Sequence, residues 1–557
     1  MVFLKHKRDF THFGSLLVSM VLLMLWANPW KHHNVITNDT TSYYSYLPAY
    51  FIYDDIVELQ YVHQDPSRQI WVSQNEKGQR FFKMTMGLAI LWLPGFLLCW
   101  LFSNPTEILY GYDWPFHLSI SLSALFYSFI GLVFLHKFLR KHFSFNISTL
   151  TVLATFFASN LMHYTLVAPG MAHAYNFFLV ALLLFLSRNG FKSIANALIW
   201  SFLAGLLVLI RPTNLIILPF ILGLQYLLGQ NLFKELLNPK LLTALLLGGL
   251  LAVSPQLIYW YKVSGNILMY SYEQEGFHFG IERLFLGIAG FRKGWLIYSP
   301  LYVALIIAPF ILKKEEKKIS LFLVGITLVF SAIIYSWWCW WYGGGFGSRS
   351  MVDLYPILAL GIALFFKRLS ALPRGVFFTL AVALNLLFTW KMVKGILHYD
   401  AMTSKAYAKL FTGENMEASD FIDPDYYGAK YLGKELHFKG KAPIQIDKSG
   451  NDVVLFQRSF TAKDSLLYPN FNLLYYNSQD RLSDTLKAVV TVKETETGKL
   501  HSWMDLQIFY NPEIKEEWIP LRVTGKVVLE LDKTYSETMF IYNPKKGTAA
   551  IIPHEKL

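Results

Sequence analysis

Apolar segments of 15 to 22 residues recur along the first 392 positions of this 557-residue chain. They lie near 12–30, 115–136, 147–165, 172–187, 193–210, 213–229, 241–261, 296–312, 319–338, 352–366 and 375–392. A helix of about 20 apolar residues crosses the hydrocarbon core of a bilayer. Only a helix or a closed barrel satisfies its own backbone polar groups there. The pattern therefore predicts an α-helical polytopic membrane protein. Only 16% of residues are charged and 54% are hydrophobic, where a soluble domain carries about a quarter charged residues. The net charge of +12 would suit nucleic acid if it were gathered on one face. It is spread instead over short runs between apolar segments, so it reads as a topology signal, and nucleic acid is not an expected partner.

The basic connectors are Lys137 to His142, Arg188 to Lys192, Lys234 to Lys240, Lys313 to Lys318, and Lys367 to Arg374. They alternate with connectors poor in Lys and Arg, and all fall on the cytoplasmic side if the basic N-terminus (Lys5, His6, Lys7, Arg8) is cytoplasmic. The first span lacks a small-residue cleavage site at Trp26-Ala27-Asn28-Pro29-Trp30, so it is expected to be retained. Residues 84–103 are long enough to cross, but a crossing would move every basic connector outside. Pro94-Gly95 also falls in the middle of that stretch. It is therefore predicted to be a re-entrant or interfacial helix pair within one outer loop, 31–114. About eleven transmembrane helices follow, with a cytoplasmic N-terminus. Beyond Trp390 the chain turns polar and alternating, as in Lys487-Ala488-Val489-Val490-Thr491-Val492. Turn signals such as Asn511-Pro512 and Asn543-Pro544 punctuate it. That predicts an extracytoplasmic β-sandwich-like domain over 396–557. Asp423-Pro424-Asp425 reads as a turn in it.

The residues with chemistry gather in the predicted outer loops. Asp39, just past the first span, reads alone either as a loop charge or helix N-cap or as a general base. Tyr43, Tyr44, Tyr46 and Tyr50 follow it and suit sugar stacking, though Tyr also belongs at membrane interfaces. Asp54, Asp55 and Glu58 come next at helical spacing. Paired acids of this kind can share a proton or hold a metal, and they can equally form a solvated face. The most distinctive stretch runs from Ser336-Trp337-Trp338-Cys339-Trp340-Trp341-Tyr342 through Gly343-Gly344-Gly345-Phe346-Gly347-Ser348 to Arg349. Glycines let backbone approach a ligand, and Arg349 offers a fork suited to phosphate. Arg292 and Lys293, set between glycines, read equally as a second phosphate contact or an interfacial anchor, and Arg211 between two spans calls for a partner such as a carboxylate or a lipid phosphate. His163 and His173 flank Pro169-Gly170 without nearby Cys or acidic ligands. Cys99 and Cys339 are the only cysteines, so no zinc or disulfide spacing exists. No metal site and no cofactor are expected.

Taken together, the first span, the long outer loop opening on Asp39, the Pro-interrupted apolar stretch, the later spans and the C-terminal outer domain resemble the GT-C superfamily of polytopic glycosyltransferases. Within it, they are similar to the protein O-mannosyltransferase and aminoarabinose transferase-like branch. Asp39 matches the loop-one catalytic acid, Tyr43-Tyr44 follow it, and Phe346-Gly347-Ser348-Arg349 is similar to a late outer-loop motif of bacterial members. The resemblance covers roughly 10–395 and departs at Thr40, where many members carry a second acid. It implies a transferase domain over 1–395 that moves a sugar from a polyprenyl-phosphate-linked donor to a lipid, glycan or protein acceptor at the outer face. Asp39 would be the base and Arg349 a phosphate contact, with Tyr43, Tyr44, Asp54, Asp55, Arg211, Arg292, Lys293 and Tyr342 binding substrate. The expected partners are that donor, the acceptor and membrane lipids, and the expected setting is a bacterial inner membrane. The competing reading is a lipid or polysaccharide transporter or flippase, which would place charged residues near the middle of its spans.

Overall fold

The computed structural model describes residues 2–31, 35–63, 70–75, 78–102, 110–272, 275–400, 402–414, 420, 444–446, 453–462, 466–467, 470–476, 487–505, 507–508, 518–524, 527–542 and 547–552. Asp423-Pro424-Asp425 and the turns Asn511-Pro512 and Asn543-Pro544 lie outside them. The chain divides into two units, Met1–Val393 and Lys394–Leu557.

The first unit opens with helix α1 (Val2–Ala27), then two one-turn helices, α2 (Asp39–Tyr44) and α3 (Tyr46–Phe51). Asn38 holds φ 49° and ψ −130°, outside the left-handed helical region and rarely adopted by a residue with a side chain, and so turns the chain into α2. Thr40 through Ala49 are buried, and tyrosine hydroxyls tie this loop down. Tyr44 donates to the Gly111 carbonyl (2.5 Å) and Tyr46 to that of Met84 (2.7 Å). Asp39 therefore sits on a folded platform rather than a loose loop.

Two expectations fail here. Residues 52–54 leave the helix, Asp54 takes φ 47°, and Asp55 accepts from the Tyr61 amide (3.0 Å), so the acids have turn geometry and not helical spacing. The apolar stretch 84–103 forms one helix, α4 (Gly87–Phe102), with Pro94 inside it, rather than an interrupted pair. Proline costs one backbone hydrogen bond and a ring clash, roughly 3 kcal/mol. That is offset by burying Leu88, Leu91, Trp92 and Phe96 and by an anchored start, where the Met86 amide donates to Gln256 Oε1 (2.8 Å).

The bundle continues with α5 (Trp114–Leu139), α6 (Phe145–Phe157), α7 (Leu161–Leu166), α8 (His173–Ser187), α9 (Ile194–Ile210), α10 (Ile217–Leu227), α11 (Leu232–Leu236) and α12 (Pro239–Ser264). Ser144, Ser193 and Asn238 cap the helices that leave the basic connectors. Helices α9 and α12 cross at small residues: a Cβ on Gly205 would lie 2.8 Å from Ala252 Cβ and 2.9 Å from the Gly249 carbonyl. Next come α13 (Ile281–Ala289), α14 (Trp295–Tyr298), α15 (Val303–Ile311), α16 (Lys314–Ile334), α17 (Tyr355–Arg368) and α18 (Ala371–Val393). Helix α17 is buried from Tyr355 to Phe366, whereas α12 exposes Leu246, Leu247, Leu250 and Leu251. An apolar helix buried all round is the centre of a bundle; one with bare leucines faces lipid.

Among the described residues, five segments are long and apolar enough to cross a membrane: Trp114–Leu139, Pro239–Ser264, Lys314–Ile334, Arg349–Arg368 and Ala371–Val393. The other expected crossings are helical but shorter. The one at 147–165 breaks at residues 158–160 between α6 and α7, and the one at 296–312 breaks at Pro300 between α14 and α15.

In the second unit, α19 (Ser404–Thr412) is capped by Thr403, whose hydroxyl accepts from the Ala406 amide (3.1 Å). Three antiparallel sheets follow among the described residues, the smallest pairing Leu466–Leu467 with Val527–Val528. One has five strands, ordered Ile444–Ile446, Gly547–Ile552, Asn470–Tyr476, Trp518–Thr524 and Gln507–Ile508. Another has four, ordered Val453–Thr461, Thr534–Tyr542, Lys487–Glu494 and Leu500–Asp505. Buried Tyr535 packs there with Val492, Ala462 and Leu529.

Candidate active site

Arg349 Nη2 donates to Asp39 Oδ2 across 3.0 Å, joining residues 310 positions apart. The glycine-rich turn accounts for how Arg349 is delivered. Tyr342, Gly343, Gly345 and Gly347 have φ of 58°, 66°, 149° and 57°, values that side chains resist. A Cβ on Gly345 would also lie 2.7 Å from Tyr164 Oη. That hydroxyl donates to the Phe346 carbonyl (3.0 Å) and accepts from the Phe346 amide (2.9 Å). Asn160 Nδ2 donates to the carbonyls of Phe346 (3.2 Å) and Ser348 (3.1 Å), and Tyr335 Oη lies 2.6 Å from Ser348 Oγ. The backbone before Arg349 is thus pinned by three buried side chains, Asn160, Tyr164 and Tyr335. Among the described residues, Asp39 Oδ1 accepts no hydrogen bond. The carboxylate is held by one oxygen and open at the other.

One turn after Arg349, in the 3-10 segment Arg349–Leu354, lies a second carboxylate. Asp353 is completely buried. Its Oδ1 is 2.8 Å from His173 Nδ1, and its Oδ2 accepts from Asn176 Nδ2 (3.1 Å) and Arg211 Nη1 (3.0 Å). Arg211 Nη2 also donates to Ser350 Oγ (3.3 Å), and its guanidinium carbon stands 5.2 Å from the centre of the Tyr342 ring. Tyr43 lies amid these charges. Burial pushes its hydroxyl pKa up, and Arg211, Asp39, Arg349 and Asp353 all act on it.

No protein-family model matches the chain, and no curated protein does. Among the solved structures that match is ArnT from Cupriavidus metallidurans in the apo state, at 14% identity and a TM-score of 0.38. The match covers 70% of this chain and 64% of that one, so this chain spans less than two thirds of that protein.

The remaining sequence candidates scatter. Tyr342 supplies the ring beside Arg211 and donates to the Ile334 carbonyl (2.8 Å). Arg292 stacks on Trp341, 3.7 Å from the ring centre, and Lys293 Nζ donates to the Gly345 carbonyl. Both are buried, so this basic pair braces the glycine-rich turn. Tyr44 spends its hydroxyl on Gly111 and its ring on Phe96, Tyr112 and Phe116. Asp54 is exposed and Asp55 serves Tyr61; neither is bonded to the Asp39 group among the described residues. There, too, no three His, Cys, Asp or Glu side chains converge as a metal site would require.

Asp353, Asn176, Lys83 and Glu275 escaped the sequence reading. Lys83 Nζ pairs with Glu275 Oε1 at 2.5 Å and sits 4.8 Å from the Trp71 ring centre and 5.4 Å from that of Tyr272. For Asp353 and Lys83 the signal is a lone ionisable residue inside an apolar run, as in Val352-Asp353-Leu354 and Phe82-Lys83-Met84. Such a residue at a membrane helix end needs a partner.

Proposed function

We propose that this protein is a GT-C-type membrane glycosyltransferase that moves a sugar from a polyprenyl-phosphate donor to an acceptor hydroxyl or amine. The Asp39–Arg349 contact carries this reading. Asp39 Oδ1 takes the acceptor's proton as the acceptor atom attacks the anomeric carbon. The bond from that carbon to the phosphate oxygen breaks, and its electron pair leaves on the polyprenyl phosphate. One displacement inverts the anomeric centre. Arg349 fixes the base by holding Oδ2 and presents its positive charge to the phosphate, with Arg211 as a second cationic contact. A preorganised donor aimed at developing charge contributes roughly 3–4 kcal/mol.

Asp353 is unsuited to be the base, because both of its oxygens are engaged. The acceptor is a lipid, glycan or protein, and the active face is the outer side of a bacterial inner membrane, with the N-terminus cytoplasmic and the C-terminal domain of about 396–557 outside. The test uses purified protein in lipid nanodiscs with polyprenyl-phosphate sugars and candidate acceptors. Wild type should transfer sugar, and Asp39→Asn should lose roughly 10²–10⁴-fold in rate. Full activity in Asp39→Asn would sink the base assignment. Lipid translocation without transfer by folded wild type would establish the transporter reading instead.

A further inference from the structure

Two carboxylate–guanidinium pairs act electrostatically on Tyr43, and they are built differently. In Asp39–Arg349 the carboxylate side chain is 22% exposed and keeps one oxygen open. In Asp353–Arg211 the carboxylate side chain is 0% exposed and both oxygens are filled. A buried carboxylate costs several kcal/mol unless it is paired and hydrogen-bonded, and Asp353 meets that demand with donors from three places: His173 and Asn176 on α8, and Arg211 at the end of α9. The first carboxylate is placed to react. The second is placed to hold.

We infer that Asp353 is a positioning residue for the donor phosphate, acting through Arg211 and through the segment that carries Arg349. Arg211 uses one Nη1–H on Asp353 and one Nη2–H on Ser350. Tyr342 lies against the same guanidinium, and the Arg211 side chain keeps 14% exposure. The contacts to Asp353 and Ser350 fix the plane of the guanidinium, and a guanidinium of fixed plane is what binds a phosphate at a set angle. Arg349 and Asp353 share one 3-10 segment. Tying Asp353 to His173 and Asn176 therefore fixes that segment against α8 and sets where Arg349 points. The ligand class is a phosphate ester, met by two forks whose far sides are each balanced by a carboxylate.

This inference rests on the transferase reading, so its test reads binding rather than turnover. Affinity for polyprenyl phosphate is measured in nanodiscs, on monodisperse folded protein, for wild type, Asp353→Asn, Arg211→Gln, the double variant and Asn176→Ala. Asp353→Asn and Arg211→Gln should each weaken binding by roughly tenfold or more, the effect of losing one charge-assisted hydrogen bond. The double variant should be no worse than the weaker single one, since both act on one contact. Asn176→Ala touches neither guanidinium and leaves the ion pair in place. It should still weaken binding measurably, and it decides the matter if Asp353→Asn fails to fold. A structural staple would lower melting temperature in these variants while the folded fraction binds as wild type does; that result overturns the inference and leaves the transferase reading standing. Wild type that binds no polyprenyl phosphate overturns both.

Discussion

Removing either partner of the Asp39–Arg349 pair should cost more than removing both. The side chains are 22% and 13% exposed and meet at 3.0 Å. At about 4 Å between charge centres and an effective dielectric near 20, attraction is roughly 4 kcal/mol. Desolvation and partial exposure reduce the net to about 1–2 kcal/mol. Asp39→Asn leaves Arg349 as an uncompensated charge, and Arg349→Gln does the same to Asp39, so each single variant should lose about that much stability. Asn and Gln together can hydrogen-bond, and the double variant should recover most of it. Catalysis should behave otherwise: Asp39→Asn loses the base, roughly 10²–10⁴-fold, and Arg349→Gln loses orientation and phosphate contact, roughly 10²–10³-fold. If the pair acts as a unit, the double variant should be about as slow as Asp39→Asn alone. The assay is a double-mutant cycle on kcat/KM and melting temperature of purified protein. Rate losses that multiply, or a double variant less stable than both singles, would refute the pair as one working unit.

Three further outcomes follow from the same geometry. Gly345→Ala, at φ 149° and with its new methyl 2.7 Å from Tyr164 Oη, should lower transfer at least roughly tenfold by shifting the Arg349 turn, a displacement of about 1 Å being sufficient; Gly343→Ala, with nothing within 4 Å, should cost only roughly 1–2 kcal/mol of backbone strain. Tyr164→Phe strands the buried Phe346 amide that its hydroxyl accepts from and should destabilise by about 1–3 kcal/mol, read as a lower melting temperature. Burial raises the Tyr43 and Tyr272 hydroxyl pKa values above their ordinary value of 10.0, so the unfolded chain ionises first. Stability is then whole below pH of about 10 and falls as pH rises beyond it, and Tyr43→Phe should flatten that fall in melts taken from pH 9 to 11.

Hydropathy made the helical, membrane-type character of residues 1–393 legible, because a bilayer core imposes its length rule on each segment separately. The glycine-rich turn was legible for a similar reason: left-handed φ at positions 343, 345 and 347 is a local demand that glycine meets. Pro94 misled, since its local cost is real yet smaller than the packing that keeps α4 whole. Asp54 and Asp55 misled because a period of acids says nothing about a turn set by Tyr61 and the Ala49 carbonyl.

By itself the sequence determined where apolar helices form, which loops carry Asp, Arg, Tyr and Gly, and that a polar, strand-rich unit follows Val393. It could name Asp39, Arg211 and Arg349 one at a time. Only the tertiary structure decided that Arg349 reaches Asp39, that Arg211 leans on Asp353, and that Arg292 and Lys293 brace the turn. Backbone preference and hydropathy act over a few neighbouring residues. The pairing of charges depends on distance in space, here between residues 310 positions apart, and no local pattern encodes that.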